Sequence, residues 1–484
     1  MRVLENLEPK EVFYYFEDIC SIPHGSGNTQ QISDYCVNFA KEHGLSWRQE
    51  ACGNVIIRKD ATPGYEQADT VILQGHMDMV AVKDADCSLD LEKDGLLPEI
   101  DGDWIQAKGT SLGGDDGIAV AYALAILAAD DIPHPALEAV FTVGEEVGLT
   151  GATALDASDL KGKILMNMDS EDDGIFLIGC AGGGTVSCCL PLHRETVSGQ
   201  KYEWHIDGLM GGHSGMEINK ERANANKVFG RFLAYCMEET GFSIVSANGG
   251  EKDNAIAKQC DAVLIVPEEK TAAFEDAVSA FETILKKEYH FTDPEMHIYV
   301  EKRSNQAETA EALSKETAQK LTALLIHLPN GIQKRIPEFP ESVQTSLNMG
   351  ILQQTEKEIS MTFSVRSSVT SEKEWMISQM EHLTKAFGGY CRISGVYPAW
   401  EYQPDSRIRP LMIETYEEIT GRKPETAAIH AGVECGIFCE KLPGLDCISY
   451  GPQMNDIHTT RERLSISSVK RNWELTLAVL KKLK

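Results

Sequence analysis

Five segments of the chain join an apolar, strand-like run to side chains that can ligate a metal or move a proton. They are Val71-Ile-Leu-Gln-Gly-His76-Met-Asp78, Ser111-Leu-Gly-Gly-Asp115-Asp116, Thr142-Val-Gly-Glu145-Glu146, Leu165-Met-Asn-Met-Asp169 and the stretch from Ile448 to His458. Imidazoles and carboxylates without a thiolate suit a hydrolytic zinc, manganese or cobalt centre. One carboxylate shared by two ions would make a co-catalytic pair. Glu145-Glu146 is the most telling of the five. Two adjacent carboxylates at the end of a buried strand repel each other and lose hydration. A cation offsets both costs, and the pair can then divide the labour: one ligates, the other carries a proton.

Such side chains need a scaffold that gathers distant segments at one edge. Apolar residues at helical spacing predict helices over Pro9–Cys20 and Gln30–Glu42, and Asp116–Ala129 reads as an Ala-rich buried helix. Val55–Ile57, Val71–Leu73, Leu137–Val143 and Ile164–Met168 read as strands between them. This alternation predicts an α/β sheet, in which sites form beyond the carboxyl ends of strands. The pattern changes after Cys180-Ala-Gly-Gly-Gly184, which reads as a hinge or sharp turn. Two rounds of strand and helix follow, and the first pattern resumes after Tyr397-Pro-Ala-Trp400. The expected organisation is a catalytic domain split into residues 1–184 and 397–484, with a lid domain inserted at 185–396.

A length of 484 residues exceeds one ordinary core, in keeping with two domains. The formal net charge of −29 argues against nucleic acid and anionic membrane as partners and favours cations. No window approaches the ~20 apolar residues of a spanning helix. The first ten residues carry acidic side chains where a signal peptide would be apolar, so a cytoplasmic location is expected. The 13 cysteines include no Cys-x-x-Cys and read as reduced, mostly buried thiols. Taken singly, Asp78 and Asp116 could simply cap helices that follow them.

Together these motifs resemble the di-zinc metallopeptidases that include carnosinase, aminoacylase, carboxypeptidase G and peptidases T and V, and in particular their Xaa-His dipeptidase branch. The resemblance covers essentially the whole chain, including Ser21-Ile-Pro-His24 and Ile429-His430-Ala-Gly-Val-Glu434. It implies an α/β fold of the di-zinc exopeptidase type: a mixed sheet flanked by helices, with an inserted α+β lid that could be doubled. It also implies two divalent metal ions, zinc first, with manganese and cobalt sharing the same ligands. Asp115 would bridge them, His76 and Asp169 would hold one, and Glu146 and His458 the other. Asp78 would orient the His76 imidazole, and Glu145 would act as general base. The family's Asp115–Asp116 peptide is cis.

In the insertion, His213 within Gly208-Leu-Met-Gly-Gly-His213 resembles a lid histidine that stabilises the oxyanion. Arg366 resembles an arginine that clamps the substrate carboxylate. Asn254 resembles a lid asparagine that helps hold substrate, although Ala255 stands where the family often has proline. The implied activity is hydrolysis of Xaa-His dipeptides such as beta-alanyl-histidine by a metal-bridging hydroxide. A broader di- or tripeptidase and an N-acyl-amino-acid deacylase are alternatives, and a non-catalytic peptide-binding protein is another of a different class. The implied partners are small peptides, with no nucleic acid and no membrane. A homodimer and a doubled lid supplying His213 within one chain both stay open. His430 and Glu434 lie in the matching stretch without an assigned role.

Overall fold

The computed structural model describes residues 2–303, 306–337 and 339–484. The chain divides into two compact units. The first runs to Cys180 and resumes over Tyr402–Ala428 and Val433–Lys484; the second holds Ala181–Glu401 and Ile429–Gly432.

The first unit opens with α1 (Lys10–Cys20), α2 (Gln30–Glu42), β1 (Ser46–Gln49), β2 (Val55–Lys59) and β3 (Val71–His76). Then come β4 (Pro98–Asp101), β5 (Trp104–Ala107), α3 (Gly114–Ala128), β6 (Leu137–Thr142), α4 (Thr150–Ala154), β7 (Ile164–Asn167) and β8 (Ile175–Cys180). The second unit contributes β9 (Gly182–Pro191), β10 (Arg194–Asp207), α5 (Ala225–Thr240), β11 (Ser243–Gly249), β12 (Cys260–Val266), α6 (Thr271–Glu288) and β13 (His297–Lys302). It continues with β14 (Glu308–Leu313), α7 (Lys315–His327), β15 (Gly331–Ile336), β16 (Phe339–Gln354), β17 (Glu358–Ser367), α8 (Thr370–Ala386) and β18 (Tyr390–Tyr397). The first unit closes with α9 (Ile408–Thr420), β19 (Glu425–Ile429), α10 (Glu434–Lys441), β20 (Asp446–Ser449), β21 (Met454–Asn455), β22 (Arg463–Ser465) and α11 (Ile466–Lys482).

The main sheet of the first unit has the order β1-β2-β6-β3-β7-β20-β8-β19. Its central strands β6, β3, β7 and β20 run parallel and are buried along their whole length. That burial is why they read as continuous apolar runs rather than as an alternation. Helix α3 is likewise buried on every side, so it is apolar all round. A Cβ at Gly75 would lie 2.6 Å from Ala119 Cβ and 2.7 Å from Asp116 Oδ2. Glycine there lets β3 meet the start of α3.

The second unit is a ten-stranded antiparallel sheet whose main path is β13-β10-β12-β11-β16-β17-β9-β18. Trp204 and Phe229, Phe232 and Phe274 sit in the core between this sheet and its helices.

Three expectations need correction. Gly182 to Gly184 form no turn; they lie in β9, and Gly183 pairs with both Arg366 and Tyr397. A Cβ at Gly183 would lie within 2.6 Å of the Tyr397 ring, so glycine lets that ring cross β9. Ser111–Asp116 follows a loop, not a strand, and leads into α3. Asp78 and Asp116 cap no helix. Asp78 precedes none, and Asp116 Oδ2 accepts the backbone N–H of His76 at 3.1 Å. The small sheet β21-β22-β5-β4 escaped the sequence reading because its strands have two to four residues each.

Candidate metal centre

The parallel strands of the first unit deliver their side chains to one edge. His76 is the last residue of β3, Glu145 and Glu146 follow β6, and Asp169 follows β7. His458 comes from the stretch after β20, and Asp115 from the non-helical start of α3. The Asp115–Asp116 peptide is cis.

Asp115 lies between the two imidazoles. Its Oδ1 is 3.0 Å from His76 Nε2, and its Oδ2 is 3.1 Å from His458 Nε2. His458 Nε2 is also 3.0 Å from Glu146 Oε1, and His76 Nε2 is 3.6 Å from Asp169 Oδ1. Two ligand atoms bound tetrahedrally to one zinc, each at about 2.0–2.1 Å, lie roughly 3.3 Å apart. The observed separations therefore fit a ligand set around divalent ions. Glu146 Oε1 is buried and has no aligned hydrogen-bond donor despite its nearness to His458. That geometry suits a shared cation better than a hydrogen bond. Asp115, Glu146 and His458 make one group of potential ligands; His76 groups with Asp116 and Asp169, and again with Glu145 and Glu146.

The side chains around these potential ligands constrain what each can do. His76 Nδ1 donates to the backbone carbonyl of Asp78 at 2.8 Å, which leaves Nε2 for a metal. The Asp78 carboxylate itself is 3.7 Å from that ring nitrogen. It accepts instead from Ser26 Oγ at 2.8 Å and from the backbone N–H of Glu145 at 3.1 Å. The expected orienting contact to His76 thus comes from the Asp78 backbone, and its side chain holds the Glu145 segment. Burial pushes the Glu145 carboxyl well above the ordinary range; His76 opposes this, while Asp169, Glu434 and Glu146 add to it.

Just upstream of the ligands runs a network that gives Glu434 a place. Glu434 is fully buried and begins α10. Its Oε2 accepts from Gln74 Nε2 and from Thr142 Oγ1 at 2.7 Å, and Asn167 Nδ2 donates to Gln74 Oε1. One carboxylate thereby ties together β6, β3 and β7.

These groups predict a pH dependence for chelator-treated protein. The neighbouring carboxylates of Asp115 and Glu146 raise the His458 pKa from 6.5 to about 10, against burial. Burial raises Asp169 from 3.8 to about 6. A raised imidazole stabilises below its unfolded pKa, and that contribution is lost as pH rises through the folded value. A raised carboxyl also destabilises progressively between its two values. The thermal midpoint of chelated protein should therefore fall relative to zinc-loaded protein from about pH 4 to pH 10, read by scanning fluorimetry. A gap that does not widen over that range contradicts the assignment.

In the second unit, Arg366 and His213 lie close together. A Cβ on Gly215 would stand 3.1 Å from His213 Cε1 and 3.3 Å from Arg366 Nε. His213 Nδ1 accepts from the backbone N–H groups of Gly215 at 3.3 Å and Met216 at 3.1 Å. The ring proton is therefore on Nε2. Burial, and then Arg366, lower the pKa of His213, so it is a neutral donor. Arg366 is 7% exposed, and its Nε has no hydrogen-bond partner. Its Nη1 donates to Tyr397 Oη at 3.0 Å, across Gly183. Among the described residues no carboxylate pairs with it. Ser346, opposite Arg366 in the β16–β17 ladder, bonds His430 Nε2 at 2.7 Å. Exposed Asn254 joins this group through its backbone carbonyl, which accepts from the backbone N–H of Ser214 at 2.8 Å. Sequence reasoning missed Tyr397 and Ser346, because strand pairing that no sequence pattern displays brings them beside Arg366 and His430.

Residues 205–293 match the peptidase dimerisation domain family. The chain is 36% identical to the cytosol non-specific dipeptidase of Escherichia coli K12, over 100% of this chain and 99% of that protein. It superposes on the crystal structure of aminoacylhistidine dipeptidase from Vibrio alginolyticus with a TM-score of 0.92 and 35% identity, covering 99% and 98% of the two chains. Aminopeptidase PepT from Bacillus cereus shares the fold alone, at a TM-score of 0.56 and 15% identity over 99% of each chain. No helix among the described residues is long and apolar enough to cross a membrane.

Proposed function

Because the chain belongs to the M20 family of metallopeptidases, we propose that it is a metal-dependent dipeptidase acting on Xaa-His dipeptides such as beta-alanyl-histidine. The observation that carries this reading is the run His76–Asp115–His458–Glu146, with Asp169 beside His76, at one sheet edge. The name of the Vibrio relative supports histidine at the second position. The name of the Escherichia coli relative favours a broader dipeptidase as the second reading, and also supports a cytoplasmic location.

Two divalent cations, zinc first and manganese or cobalt as alternatives, would polarise the scissile carbonyl and acidify the attacking water. Asp115 would bridge them, with His76 and Asp169 on one side and Glu146 and His458 on the other. Glu145 would take the water's proton and pass it to the departing amine. Asp78 would hold Glu145 in place through its N–H. His213 would donate a hydrogen bond from its Nε2–H to the oxyanion, and Arg366, helped by Asn254, would hold the substrate carboxylate.

Dialysis against a chelator should abolish hydrolysis, and zinc should restore it. A panel of Ala-His, beta-Ala-His, Ala-Ala, a tripeptide and an N-acetyl amino acid then tests the substrate. The highest kcat/KM is expected on the Xaa-His pair. Equal rates on Ala-Ala would replace this reading with a broader dipeptidase, and turnover of the N-acetyl compound with a deacylase. Metal and peptide binding without hydrolysis would leave a binding protein. The dimerisation-domain match supports a homodimer, which sedimentation of the same loaded sample would show.

A further inference from the structure

Glu462 is a carboxylate that the metal set does not use, yet it is 3% exposed. Its Oε2 accepts the backbone N–H groups of Leu112 at 2.8 Å and Gly113 at 3.1 Å. Its Oε1 accepts those of Gly114 at 2.8 Å and Asp115 at 3.3 Å. Four consecutive donors converge on one side chain. They stand at the start of α3, where the first N–H groups of a helix have no partner within it. A local cap would satisfy one or two of them. Here the acceptor arrives from nearly 350 residues further along the chain.

The same short stretch carries His458, four residues before Glu462. Directly after Glu462, β22 locks onto β5 through the pairs Arg463–Gln106 and Leu464–Ile105. His458 itself adopts a left-handed backbone, with φ of 61°, which an ordinary residue keeps only when its surroundings hold it. Asp115 and His458 are 343 residues apart in sequence and 3.1 Å apart in space. Glu462 binds the backbone of one to the chain segment of the other.

We propose that Glu462 is a positioning residue that fixes Asp115 against His458, and so holds the cation position made by Asp115, Glu146 and His458. The position served by His76 and Asp169 shares Asp115 but takes its other two ligands from the ends of β3 and β7, which Glu462 does not touch. This inference rests on the metal-centre reading above. Its consequence is unequal: loss of the clamp weakens the position that draws on both Asp115 and His458 more than the one that shares Asp115 alone.

The test is a zinc-binding isotherm on chelator-treated parent, Glu462→Gln and Glu462→Asp. Glutamine keeps the shape but turns one acceptor into an amide donor facing backbone N–H groups. Aspartate keeps the charge but is one methylene shorter. Each variant should bind one zinc close to parental affinity and the second about 10–100-fold more weakly, the usual effect of removing support around a ligand. Saturating zinc should restore kcat with KM little changed. Parental binding of both ions with only a lower Tm would make Glu462 a helix cap and overturn the proposal. Parallel weakening of both ions, or failure of both variants to fold, would overturn it too. If the parent binds fewer than two ions, the metal-centre reading fails instead.

Discussion

Glu145→Gln should lower kcat by about 10²–10⁴-fold, the usual contribution of a positioned general base, or roughly 2.7–5.5 kcal/mol of barrier. Zinc content should stay at two per chain. The two halves of that result come from different residues of one pair. Glu146 lies 3.0 Å from His458 and belongs with Asp115 to a group of potential ligands. Glu145 has its backbone fixed by Asp78. Its carboxyl is pushed up by burial, with Asp169, Glu434 and Glu146 adding to the shift. A carboxylate with raised proton affinity is a better base, provided a nearby cation keeps it ionised at working pH. Glutamine preserves the shape and removes the proton acceptor. Glu146→Gln should act differently, lowering metal content first and activity as a consequence. Steady-state rates on a dipeptide, with metal content measured on the same samples, separate the two. Near-parental turnover by Glu145→Gln would remove it from the mechanism.

Much of this candidate centre was legible because its potential ligands follow buried strands. In β3, β6 and β7 the apolar run and the residue that ends it are adjacent in sequence, so His76, Glu145, Glu146 and Asp169 could be read directly. Gly182 to Gly184 could not. A glycine run signals a turn when nothing shows what crosses it, and here a tyrosine ring does. Glu462 was invisible for a different reason. It sits in the charged stretch Arg461-Glu-Arg463, and its four partners are backbone N–H groups that leave no side-chain pattern. Asp78 was expected to orient His76, and the atom nearest the ring nitrogen is its backbone carbonyl. Two-residue spacing from His76 suits either its carbonyl or its carboxylate, and only geometry decides between them.

The second large effect is expected at Arg366. A buried guanidinium without a carboxylate partner is costly to the fold, and the described residues supply only Tyr397 Oη for it. Such a charge is explained if its anion is the substrate. Arg366→Met should then lower kcat/KM by about 30- to 4,000-fold, the 2–5 kcal/mol typical of truncating one member of a buried charge pair. Arg366→Lys should recover only part, because an ammonium lacks the two-pronged geometry that matches a carboxylate. The decisive arm uses a substrate whose C-terminal carboxylate is an amide. The parent should discriminate strongly against it, and Arg366→Met should barely distinguish acid from amide, which is the coupling a double-mutant cycle isolates. Full discrimination retained by the variant would place the carboxylate elsewhere. Stability supplies an independent reading. Removing an uncompensated buried cation should leave Tm unchanged or raise it, whereas loss of an internal ion pair would lower it. Activity falling while stability holds or rises is the signature of a residue kept for its ligand.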